Sequence, residues 1–321
     1  MLFTSAIVPG PPALVAELMG SAAHELDDLR DAADSAVSGV LSALVAQGAG
    51  SPTTGVVAGA GAVAGARARA RARARAREGA GSGEGGAQLV VVGPGQPGEF
   101  DAAGPVSFAS FGRDVTLPAL VAGRLGDADL PTPILVARYL SSRDIAAHPG
   151  HAGLWATARW VTTSGGDATA LGERLGATGT AVGLILVADG ATCHGAKAPR
   201  AQDDRAQAYD DSVCAALASG QPSRLARIDA GLGEELGANG YQVWPVLVAA
   251  TGATVNIDED ETTGEGETID EEETTGEPEA IGATRLTAAS RAEGERRAIG
   301  EVLWAGAPYG VGWAVASWHR R

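Results

Sequence analysis

The sequence predicts an α/β protein, a central and mostly apolar sheet flanked by helices on both faces, and three observations carry that expectation. Short apolar stretches of strand length alternate along the chain with longer stretches at helical spacing. Residues 181–187, Ala-Val-Gly-Leu-Ile-Leu-Val, are apolar on both faces, as a central strand of a covered sheet must be. The 321 residues are 45% hydrophobic and 20% charged, a composition that can bury a large core.

Taken in order, residues 2–8 form a short apolar strand that stops at Pro9-Gly10-Pro11-Pro12. A helix over 12–47 follows, with Leu26, Leu29, Ala33, Val37, Val40, Leu41 and Leu44 at helical spacing. Residues 89–92 are a second buried strand, closed by Gly93-Pro94-Gly95. Helices are expected over 117–125 and 133–141, and a strand over 154–162. Asp167 is placed to cap a helix running to Gly176. After the central strand come helices near 203–219, 221–237 and 241–250, and strands at 302–304 and 311–318 close the chain.

Two segments interrupt this pattern within a single domain spanning 1–321. Residues 49–86 are Gly, Ala and Ser with a strict Arg-Ala alternation from Arg67 to Arg77. Ala is a poor strand former, so the segment reads as a flexible basic loop. Its arginines offer only salt-sensitive, non-specific attraction to nucleic acid or membrane. Residues 252–280 repeat Glu-Thr-Thr-Gly-Glu from Glu261 and again from Glu273, and this acidic stretch reads as solvated and disordered. Asp258, Asp260 and Thr262 alternate as calcium ligands do, but the Gly and terminal Glu of such a loop are misplaced.

Charge and cysteine content narrow the classes. The net charge is −15, and removing the twelve acids between Asp258 and Glu279 leaves −3, so no basic face points to specific nucleic-acid binding. Only Cys193 and Cys214 are present, which argues against a disulfide scaffold. The first ten residues lack the pattern of a signal peptide, and the longest apolar run, 181–188, is far short of a membrane span. The expected setting is a reducing cytoplasm.

In open α/β sheets, sites lie beyond the carboxyl ends of strands. That rule selects the loops at 9–12, 93–98 and 189–199. The third is chemically richest, with Asp189, Cys193, His194 and Lys197, the only lysine. His194 suits general acid or base work near neutrality. Cys193 as a nucleophile is disfavoured, because adjacent Cys and His side chains rarely face each other in a loop. On residues alone, the favoured reading of His194 is a surface-loop histidine bonded to backbone. His148 and His151, near Asp144, have a spacing that shares a metal on a helix face, but Pro149 and Gly150 between them argue for a loop, and no metal site is assigned. His24 reads as solvated surface, His319 as part of a frayed C-terminus, and the six tryptophans as core.

The strand, Gly-rich turn and Cys193-His194, followed by Lys197-Ala198-Pro199 and a helix bearing Tyr209-Asp210, resemble the catalytic subunit of class III extradiol ring-cleavage dioxygenases. Ile7-Val8-Pro9-Gly10-Pro11-Pro12 resembles that family's first strand and turn, and 307–312, Ala-Pro-Tyr-Gly-Val-Gly, resembles the closing segment of its actinobacterial branch. The resemblance spans nearly the whole chain outside the two insertions. It implies a histidine acting on a catechol and dioxygen at His194. It also implies Fe(II) held by two His and one Glu, a facial triad with open positions. The first of those His positions falls at Gly10, the second at Gly93-Pro94-Gly95, and the Glu near Gln242, so the iron ligands the family needs are missing here.

The expectation is therefore a class III extradiol dioxygenase-like protein, degenerate at the iron site and without an assigned cofactor. A small-molecule pocket is expected around His194 and Lys197, lined by Gly10, Gly95, Asp189 and Gln242, taking an aromatic or anionic ligand. A homo-oligomer or a partner subunit is expected. Two alternatives stand beside it: an active enzyme, using Fe(II) in a rearranged site or His194 aided by Lys197, and an interaction protein using its charged loops.

Overall fold

A computed structural model describes residues 3–49, 86–252, 286–288 and 298–320. The basic loop expected over 49–86 and the acidic loop over 252–280 lie outside the described residues, apart from their end positions. The architecture is mixed α/β.

Among the described residues, eight strands form one sheet in the order β3-β6-β2-β7-β1-β10-β9-β8. They are β1 (Phe3–Val8), β2 (Gln88–Pro94), β3 (Gly98–Phe100), β6 (Arg159–Thr163), β7 (Val182–Val187), β8 (Leu286–Ala288), β9 (Ala298–Gly306) and β10 (Trp313–Arg320). Strands β6, β2, β7 and β1 are mutually parallel, with Leu186 of β7 opposite Ile7 on one side and Val92 on the other. Strands β3, β10, β9 and β8 add antiparallel flanks. A separate pair, β4 (Val106–Ser107) and β5 (Thr116–Leu117), stands beside the sheet.

Every residue of β7 is buried, because helices cover both faces. Its side chains alternate between two cores. Val182, Leu184 and Leu186 join Ile7 and the apolar stripes of α5 (Gly165–Ala177), α6 (Arg205–Ser219) and α9 (Trp244–Ala250). Ile185 and Val187 join Ala6, Val8 and the stripes of α2 (Asp27–Leu44), α3 (Thr132–Ala147) and α4 (Ala152–Ala156). This accounts for the uninterrupted apolar run in the sequence. The remaining helices are short: α1 (Ala16–Met19), α7 (Pro222–Ala226) and α8 (Ala230–Glu235). No described helix is long and apolar enough to cross a membrane.

Several expected elements differ. The helix expected over 12–47 is broken, since Gly20 adopts φ +58 and 3-10 turns precede α2. No helix forms over 117–125. Thr116 and Leu117 pair in β5, Gly123 and Gly126 take positive φ, and buried Arg138 takes the Pro118 carbonyl as acceptor at 2.8 Å. Leu154 and Trp155 are helical in α4, so the following strand begins only at Arg159. Asp167 sits in the first turn of α5, and Ser164 holds the cap position. The segment 221–237 splits into α7 and α8, where Asp229 caps α8 through the Leu232 N–H. His319 belongs to β10 and reaches Thr4 Oγ1 at 3.0 Å, and burial lowers its pKa.

Helices α5 and α9 pack against each other at Gly172, where a Cβ would overlap the Val246 carbonyl and lie 2.8 Å from Ala249 Cβ. Gly166, in the same helix, faces open space. Gly172→Ala should therefore cost about 1–3 kcal/mol by overpacking, whereas Gly166→Ala should be neutral or mildly stabilising. Chemical denaturation of the two variants checks this, and equal stabilities would contradict the close contact.

Candidate functional site

Because β1, β2 and β7 are parallel, their carboxyl ends open on one edge of the sheet, and the loops that follow them meet there. They form a cleft of about 380 Å³ lined by Gly10, Gly95, Asp189 and Gln242, with Thr132 from the start of α3 and Asn239 from the loop before α9. The four binding residues expected from sequence thus lie in one place.

Asp189 is the anchor of this cleft. Its Oδ1 accepts the Gly10 N–H at 2.9 Å, and its Oδ2 accepts Asn239 Nδ2 at 2.9 Å. Its own N–H donates to Asn239 Oδ1 at 2.7 Å, and its carbonyl accepts the N–H groups of Asn239 and Gly240, each at 3.1 Å. Surrounding protein raises the Asp189 pKa by desolvation, and the bonds from Gly10 and Asn239 only partly offset that.

The donor set does not fit an iron triad. The carboxylate of Asp189 is already engaged by two donors, Gln242, Thr132 and Asn239 are neutral, and no imidazole lines the cleft. Packing has also closed around the glycines. A Cβ at Gly10 would lie 2.7 Å from Val187 Cγ1, and one at Gly93 would lie 2.6 Å from Pro133 Cβ. Gly95 takes φ +144, which favours glycine over any residue with a side chain. As packed, a ligating side chain has no place at these positions.

His194 faces a second cavity of about 280 Å³, and Asp189 borders both. This corrects the expectation of a single pocket holding Gly10, Gly95, His194 and Lys197. Its walls are largely apolar, with Ile7, Val213 and Leu217 among them. His194 Nε2 lies 2.6 Å from Asp210 Oδ2 on α6, and both side chains are mostly buried. Asp210 in turn accepts the Ala191 N–H at 3.0 Å. Its carboxylate is wedged between Gly190 and Gly312, where a Cβ on either glycine would collide with it. Backbone bonds of 2.7 Å from Gly190 N to the Gly312 carbonyl and from Gly312 N to the Ala191 carbonyl hold that clamp. In the neutral imidazole, donation from Nε2 to Asp210 leaves Nδ1 as the basic nitrogen, which suits general base work.

Three further groups matter. Tyr209 Oη, Trp244 Nε1 and Trp313 Nε1 are buried with no hydrogen-bond partner among the described residues, and all three residues line this cavity. An unmatched buried donor costs about 1–3 kcal/mol, and the fold carries that cost in residues beside the cavity. Burial, with Asp210 adding to it, pushes the Tyr209 hydroxyl up to about 12 and keeps it a donor.

Lys197 is exposed, lines neither cavity and makes no ion pair among the described residues, so its expected part in the site is not supported by its position. Cys193 is buried in the core with its Sγ 3.5 Å from the Leu236 carbonyl, and burial raises its pKa. Cys214 borders the cavity, and burial pushes its thiol up to about 12. Neither is an activated nucleophile. Sequence reasoning passed over Asn239, and it noted Asp210 only as part of the helix after the loop. The tryptophans 244 and 313, expected as plain core, border the cavity. No family model matches the chain, and no curated protein matches it.

The raised pKa of Asp189 has a definite sign. Its contribution to stability is complete below the ordinary value of 3.8 and is lost as pH rises through the raised folded pKa. A carboxyl-carbon NMR titration should place its midpoint above 3.8. A lower midpoint would mean that the bonds from Gly10 and Asn239 outweigh burial.

Proposed function

We propose that this chain is an iron-free, small-molecule-binding protein of class III extradiol dioxygenase-like architecture, with its ligand in the cavity beside His194. The observation that carries the reading is that cavity itself, largely apolar in its walls and bordered by His194, Tyr209, Trp244 and Trp313. Support for the architecture comes from the meeting of Gly10, Gly95 and Gln242 in one cleft, since these stand at or beside the positions of the family's iron ligands. The cleft keeps that arrangement without ligand chemistry.

Of the two ligand classes left open by the sequence, the cavity favours the aromatic one. Asp189, Asp210 and Asp211 all border it and would repel an anion. A neutral phenol or catechol offers a ring to the apolar wall and hydroxyls to the polar side at His194.

Catechol and phenol titrated into the protein should change its tryptophan fluorescence, because Trp244 and Trp313 border the site. Val213→Trp, which fills the cavity, should weaken that binding at least tenfold while circular dichroism stays unchanged. Unaltered binding in the variant would place the ligand elsewhere. Fe(II)-loaded protein should not open the catechol ring in air, and catalytic ring opening would overturn the iron-free reading.

The 2.6 Å contact between His194 and Asp210 favours a second reading, in which His194 acts as a general base on the bound molecule without help from Lys197. Any ligand that the wild type consumes on prolonged incubation, followed by NMR, should then survive with His194→Ala. Equal consumption by the folded variant would eliminate this reading.

A further inference from the structure

Helix α3 begins at the cleft with Thr132 and ends beside a separate cluster of side chains. Its 16 residues at about 1.5 Å each carry the chain roughly 24 Å away from the cleft. Asp144 lies in the last turn, and His148 ends the helix with its N–H on the Asp144 carbonyl. Pro149 and Gly150 do stop the helix there, but the chain then makes one 3-10 turn, closed by the His151 N–H on the His148 carbonyl at 3.0 Å. That turn returns His151 to the same side. The two imidazoles stack with centroids 5.1 Å apart, and both present Nδ1 to Asp144.

We propose that Asp144, His148 and His151 form a divalent-cation site of zinc type, distinct from both cavities. One ligand atom from each residue lies within 4.8 Å of the other two. His148 Nδ1 is 3.4 Å from Asp144 Oδ1, and His151 Nδ1 is 3.0 Å from Asp144 Oδ2. The edge of a tetrahedron with metal–ligand bonds of about 2.0–2.1 Å is about 3.3 Å, so both imidazole–carboxylate contacts are already near the spacing an ion needs. Two imidazoles and a carboxylate are donors that suit zinc or another first-row ion such as Fe(II) better than calcium or magnesium, and this cluster lies outside both cavities.

The surroundings support that assignment. Asp144 is 2% exposed, and no lysine or arginine pairs with it among the described residues. The neighbours of this carboxylate are two imidazoles and an indole N–H, and a cation held between it and the imidazoles would balance its charge. Outer groups hold two of the three ligands. Trp155 Nε1 donates to Asp144 Oδ2 at 2.7 Å, and Ser42 Oγ lies 3.4 Å from His151 Nε2, the nitrogen left free by coordination through Nδ1. The His148 side chain is about half exposed, at 49%, which leaves an access route and an open position for water. An ion there would pin the end of α3 to α2 and α4.

The test uses the untagged full-length chain after treatment with a chelator. Calorimetric titration should show one Zn(II) bound per chain at micromolar or tighter affinity. Co(II) in its place should give the strong visible absorption of a four-coordinate centre. His148→Ala, altered on its exposed side, should weaken Zn(II) binding at least tenfold and abolish the Co(II) spectrum. His151→Ala should do the same, and if it fails to fold, His148→Ala carries the test. No zinc uptake by the wild type would overturn the site, as would unchanged uptake by His148→Ala. Zinc bound here leaves catechol binding at the His194 cavity unaltered, so failure of either assignment is recognised separately.

Discussion

Three segments far apart in the chain are tied at one carboxylate. Asp189 follows the central strand, receives the N–H of Gly10 from the loop after the first strand, and exchanges side-chain and backbone bonds with Asn239 ahead of α9. The parallel pairing of β1, β7 and β2 brings these loops to one edge, and Asp189 then fixes how they meet. It also separates the two cavities. Its bonds survive the loss of water because each oxygen has its own donor, while the raised pKa records what burial still costs.

The two cavities on this edge have opposite characters. Around Gly10 and Gly93 the protein has filled the space that side chains would need, with Val187 and Pro133 in van der Waals reach of where a Cβ would stand. Around His194 the lining is mostly apolar side chains, and a volume stays open beside Tyr209, Trp244 and Trp313. Gly190 and Gly312 belong to the same design, since only residues without a Cβ let the backbone close on Asp210 and hold His194 against it.

Errors in reading the elements share a cause. The apolar spacing at 117–125 resembles a helix, yet Arg138 is satisfied by carbonyls of Ala102, Gly104 and Pro118, and that buried network keeps the segment irregular. Leu154 and Trp155 belong to a helix because the Trp155 indole is anchored by Asp144, eleven residues earlier. At His148 and His151, Pro149 stops the helix as expected, but a 3-10 turn brings back together what the break should have parted. Each outcome depends on a partner that local spacing does not contain.

By itself the sequence determined the α/β class, the fully buried strand β7 and the three loops at the carboxyl edge. Those follow from periodicity and from hydrophobic burial, which are local properties of the chain. It also named Gly10, Gly95, Asp189 and Gln242, which meet in one cleft, and His194, which does not join them. Tertiary structure alone decided that Asp210 would hold His194, that Asn239 would hold Asp189, that Lys197 would stay at the surface, and that two tryptophans would border a cavity. These are contacts between residues tens to hundreds of positions apart. Their geometry is set by how helices settle on the sheet, and no spacing in the sequence encodes it.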